Sequence, residues 1–150
     1  MSLQQWAENG WLRPHQTSLQ EIDDLLSIVA RDLTDAAGAI SADWRFGIAY
    51  NAALKLCVIL LHASGYRPEK TLQHYRTIAA LPEILGEEWR DAADYLETCR
   101  RKRNIAEYDR VGVATEQDAS ELAAFCKELR QEALLWLNKN HPELSPEKNA

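Results

Sequence analysis

Residues 41–65, SADWRFGIAYNAALKLCVILLHASG, decide the fold. Ser41 suits a helix N-cap and Gly65 a stop. Between them Trp44, Phe46, Ile48, Tyr50, Leu54, Cys57, Val58, Ile59, Leu60 and Leu61 point nearly all round the axis. A helix without a polar side needs partners on every side, which places it in the middle of a bundle. Lys55 and His62 break the apolar run, so no membrane span is expected. With Asn51 they form a narrow polar stripe that can line a groove. A histidine in such a stripe more often packs with one satisfied hydrogen bond.

Helices are expected on both sides of this one. Upstream, Ser18 with Glu21 reads as a capping box, followed by Leu19, Ile22, Leu26, Val29, Leu33 and Ala36 on one face, with a stop near Gly38. Downstream, Pro68 suits the first turn of a shorter helix to Leu81, with Pro82 and Gly86 as a break. A fourth helix spans about 87–109 through Trp89, Ala92, Ala93, Leu96 and Cys99. Thr115 caps a last one with an inward stripe of Leu122, Phe125, Cys126, Leu129, Ala133, Trp136 and Leu137. No segment alternates as a strand does, and short connections favour antiparallel neighbours. The expectation is an all-α, up-and-down bundle of about five helices in one domain, 1–150. Residues 1–17 read as an N-terminal extension and 141–150 as a frayed tail.

The chain has 150 residues, enough for one core without staples, and a formal net charge of −6. Such a charge argues against a nucleic-acid coat, though it leaves room for a local basic site. Cys57, Cys99 and Cys126 each fall in a helical pattern and read as reduced thiols. With no apolar core of signal-peptide type in MSLQQWAENGWLRPH, the expected setting is soluble and cytoplasmic.

The chemistry concentrates in CRRKRNIAEYDR, residues 99–110. Helical steps from Trp89 and Leu96 reach Arg103, and Asn104, Glu107 and Tyr108 adjoin it. A face that begins apolar and turns into Arg, Asn, Glu and Tyr is odd for pure core, because an unpartnered buried arginine is costly. The plain alternative is a helix end leaving the bundle with an Arg103–Glu107 ion pair. Arg100, Arg101, Lys102 and Arg103 can bind phosphate, but such a run is usually a solvated face.

RNIAEYD, residues 103–109, resembles the motif of the HEPN family, in which a late-helix Arg, often followed by Asn, precedes a His. AYNAALKLCVILLHASGYRP, residues 49–68, resembles the apolar helix before it in bacterial members, and the similarity spans roughly 18–136. The resemblance implies a helical domain, commonly dimeric, and in active members a metal-independent endoribonuclease of toxin or stress-response type. There Arg103 holds the scissile phosphate. Tyr108 stands where the His falls, and tyrosine titrates near 10, so it is a poor base at neutral pH. The resemblance therefore implies an RNA-, nucleotide- or partner-binding module without efficient turnover, and the nuclease is the alternative. Asn104, Glu107, Arg100, Asn51 and His62 are the expected binding residues beside Arg103 and Tyr108. Trp6, Trp11, Trp89 and Trp136 are more aromatic surface than a small bundle needs, which favours a homodimer. A cognate antitoxin or nucleotidyltransferase is the partner the resemblance implies.

His74 follows Arg67 at a spacing that formally fits the motif, but the pair straddles Pro68. No zinc-type Cys or His spacing, HExxH, Gly-rich phosphate loop or G-x-S-x-G occurs, so neither metal nor cofactor is expected.

Overall fold

A computed structural model describes residues 2–148. The elements run α1 (Leu3–Glu8), β1 (Leu12–Pro14), α2 (Leu19–Ala36), α3 (Ala42–Ala63), β2 (Tyr66–Pro68), α4 (Gln73–Ala79), α5 (Leu81–Leu85), α6 (Arg90–Tyr108) and α7 (Glu116–Asn140). Short 3₁₀ turns at Glu87–Trp89 and Pro142–Leu144 precede α6 and follow α7.

The caps expected at Ser18, Ser41 and Thr115 form, each hydroxyl accepting the amide three residues on. At Thr115 the reciprocal bond from Asp118 completes a capping box, whereas the box expected at Ser18 is half made, because the Glu21 carboxylate turns to His15, Thr17 and His62 instead. α3 is the axis of the fold. Ala49, Tyr50, Leu56, Ile59, Leu60 and Leu61 are fully enclosed, with α2, α6 and α7 packed around them. Among the described residues α3 alone is long and apolar enough to cross a membrane, and 67% of that stretch is buried inside the protein. The α2 stripe buries Ile22, Leu26, Val29 and Ala36 as expected, but also Asp32.

The structure departs from the expected elements at several points. A two-stranded antiparallel ribbon exists, pairing Leu12 with Pro68, Arg13 with Arg67 and Pro14 with Tyr66. Three-residue strands are too short for alternation to reveal. Pro68 therefore lies in β2, since a φ near −65° serves an extended edge as well as a helix start. The expected third helix begins later, at Gln73, and ends at Ala79; the break expected at Pro82 and Gly86 holds a short helix, α5, with Pro82 in its first turn and Gly86 as its C-cap.

Residues 2–17 are more than an extension. Trp6 is buried and meets Trp11 edge-on at 6.1 Å, and both join Leu12, Leu61 and Ala80 in a satellite core. Nor does the tail fray through residue 148. Pro142–Leu144 forms a turn, and buried Ser145 bonds to Asn138. Residues 149–150 of the expected tail lie outside the described residues.

Candidate functional site

The α6 stripe turns polar just where the helix passes the N-terminal half of α3. Ala93, Leu96 and Cys99 are buried, and one further turn carries Arg103 inward. A groove of about 410 Å³ opens there, lined by Asp32 of α2, by Asp43, Trp44, Gly47, Ile48 and Asn51 of α3, and by Arg103, Ala106 and Glu107 of α6. Val111, from the loop after α6, forms its rim.

Arg103 is held by the fold itself. Its Nε stands 3.1 Å from a Glu107 carboxylate oxygen, a second nitrogen donates to Asn104 at 3.0 Å, and the guanidinium covers the Tyr50 ring. Across the groove, Asn51 donates to Asp32 at 2.6 Å, while Arg31 donates to the other Asp32 oxygen. Asp43 accepts the amides of Gly112 at 2.7 Å and Ala114 at 3.0 Å, which hold its carboxyl below the usual range and fasten the α6–α7 loop to α3.

The expected residues divide. Arg103, Glu107 and Asn51 line the groove together, and Asn104 touches it only through Arg103. Tyr108 is 74% exposed and lines nothing there. Five residues on a helix turn about 500°, which sets Tyr108 roughly 140° from Arg103. His62 lies in the last turn of α3, about 16 Å along the axis from Asn51 at 1.5 Å per residue.

Arg100 lines a separate hollow of about 400 Å³ with Leu72, Gln73, His74 and Tyr75. Burial pushes the His74 imidazole below its ordinary value, and the charges of Arg103, Lys55 and Arg100 add to the shift. Arg67 sits in β2, away from that lining. The four cations of the basic run share three carboxylates. Arg100 and Arg101 pair with Glu97, Lys102 with Asp118 and Arg103 with Glu107.

No family model, curated protein or solved structure matches the chain. The site is therefore read from its own groups. Asp32, Asp43 and Glu107 line the groove; Arg31 pairs with Asp32 and Arg103 with Glu107, which leaves the Asp43 carboxylate, held by two amides, as the excess negative charge, a balance that favours a cationic group over phosphate. Trp44, 65% exposed, and Val111, 93% exposed, supply an apolar rim.

The four tryptophans that pointed to a dimer pack into their own fold. Trp6 is buried, Trp11 lies beneath Arg76 at 4.0 Å, and Trp89 and Trp136 rest on the main core. Trp44 is the exposed one, although the apolar run around it points to core.

Sequence reasoning missed a second cluster, in which His15 and His62 converge on Glu21. The capping position of Glu21 was legible, but its partner lies 41 residues away.

Proposed function

We propose that the chain is a non-catalytic, HEPN-like binding module of the reducing cytoplasm, which takes a segment of a partner protein in the α2–α3–α6 groove. The segment offers a basic side chain to Asp32, Asp43 and Glu107 and an apolar one to Trp44 and Val111. The observation that carries this reading is the state of Arg103. Glu107, Asn104 and Tyr50 engage it, and Tyr108, which stands where the motif His falls, lies outside the groove. An arginine already paired with a carboxylate has little left for a phosphate.

Panning a peptide display library on the purified chain tests the partner. Selected peptides are expected to carry a basic residue beside an apolar one, and to lose binding to Trp44→Ala and Glu107→Gln. Peptides that bind both variants as well as the wild type would overturn the reading. A second copy of the chain is another occupant. Light scattering that shows a dimer in the wild type and a monomer in Trp44→Ala would assign the groove to it.

The endoribonuclease reading has one observation in its favour: His74 shares a hollow with Arg100, whose charge together with that of Arg103 bears on it. Incubation with total RNA and end-group analysis decides between the two. New ends that vanish in Arg103→Ala or His74→Ala establish a nuclease, and intact RNA supports the binding module.

A further inference from the structure

His15, Glu21 and His62 come from three elements that fold against one another. His15 directly follows β1, and its amide bonds to the Gly65 carbonyl at 2.8 Å. Glu21 lies in the first turn of α2, and His62 in the last turn of α3. His15 Nε2 and His62 Nδ1 each stand 2.8 Å from the same atom, Glu21 Oε1. The Thr17 hydroxyl donates to that oxygen at 2.8 Å as well. The imidazole centroids are 4.1 Å apart, and the two contacts show that both rings aim a nitrogen at one point.

We propose that His15 Nε2, Glu21 Oε1 and His62 Nδ1 form a binding site for a divalent transition-metal cation of zinc type. The donor chemistry fits. Two imidazole nitrogens and one carboxylate oxygen suit zinc and its first-row neighbours, whereas calcium and magnesium take oxygen. The three donor atoms lie within 4.8 Å of one another. Around a tetrahedral ion with bonds of about 2.1 Å, ligand atoms stand roughly 3.4 Å apart. The N···O distances of 2.8 Å need to open by only about half an ångström to admit one. Coordination places the remaining proton of each ring on its other nitrogen, Nδ1 of His15 and Nε2 of His62.

Burial opposes ionisation of Glu21, but the hydrogen bonds from His15, Thr17 and His62 outweigh it and hold the carboxyl at about 2. Burial also pushes His62 below the ordinary imidazole value, against the pull of Glu21. Arg67 is the nearby charge that opposes a cation. Three protein ligands leave a fourth position for water or a partner's donor. The competing account is a hydrogen-bonded trio that fixes the N-terminal segment and binds nothing.

Tag-free full-length protein, stripped with a chelator and dialysed, is titrated with Zn²⁺ against a chromophoric competitor and with Co²⁺ by visible absorption. One equivalent is expected to bind, with Co²⁺ bands of tetrahedral type, and Zn²⁺ is expected to raise Tm because the native state alone holds the site. His15→Ala and His62→Ala should each lower affinity by roughly a hundredfold or more, beyond the ten- to hundredfold typical of outer-shell losses. His74→Ala and His141→Ala should leave it unchanged. His15 is part-exposed at the end of a short strand, so His15→Ala keeps the test open if His62→Ala misfolds. Folded wild type that binds no Zn²⁺ at micromolar concentration overturns the proposal. So does binding that His15→Ala leaves intact.

Discussion

The guanidinium of Arg103 lies over the ring of Tyr50, its central carbon 5.3 Å from the ring centroid. The arginine that the sequence marks as a ligand-binding group is thus also a lid on the most enclosed aromatic residue of α3. Arg103→Ala should lower stability by about 1–2 kcal/mol, from a cation–π contact of about 0.5–2 kcal/mol and a helical ion pair of about 0.3–0.5 kcal/mol. Urea denaturation measures it. A wild-type midpoint in the variant would mean that Arg103 plays no part in the fold.

Among the described residues the buried Tyr50 hydroxyl has no hydrogen-bond partner, and burial pushes its ionisation up against the pull of Arg103 and Arg100. An unsatisfied buried polar group costs about 1–3 kcal/mol, so Tyr50→Phe should be neutral or stabilising. Tyr50→Ala, which empties the ring's space, should cost about 3–5 kcal/mol. A Tyr50→Phe protein that melts several degrees lower would show that the hydroxyl has a partner.

Asp43 makes a pH-dependent fastening. Its folded value is depressed, so its contribution is complete above the ordinary aspartate value of 3.8 and is lost as pH falls through the folded one. At pH 7, Asp43→Ala should be less stable by about 1 kcal/mol and should exchange the Gly112 and Ala114 amides faster. The stability gap between variant and wild type should close on acidification. A gap that persists at low pH would assign the effect to packing.

The three thiols are buried, and burial pushes Cys57 and Cys126 up to about 12 and Cys99 to about 11. The thiolate is the reactive form, so the folded protein should resist alkylation at pH 8 and take three labels once denatured. Mass spectrometry counts them. Rapid labelling of native Cys99 would mean that α6 opens locally.

What the sequence revealed follows the range of each interaction. The caps at Ser18, Ser41 and Thr115 act over three residues, and the all-apolar α3 declares its place through composition. The ribbon joins residues more than fifty apart, and no local pattern announces it. Asp32 sits on an otherwise apolar stripe because Asn51 meets it from another helix. Arg103 and Glu107 were legible as an i, i+4 pair, whereas Tyr108 shows that nearness in sequence does not place two residues on one helical face.

The order in which the helices leave the ribosome matters for α3. Its enclosure is complete only when α7 arrives, and the chain from Ala63 to Asn140 takes on the order of 4–15 s to make at about 5–20 residues per second. A chain ending before Thr115 should bind a hydrophobic dye and sediment, whereas the full chain should not. Until α7 folds, the nascent protein leaves the α7-facing side of α3 uncovered. The all-round apolarity that organises the finished bundle makes the unfinished chain a client for chaperones.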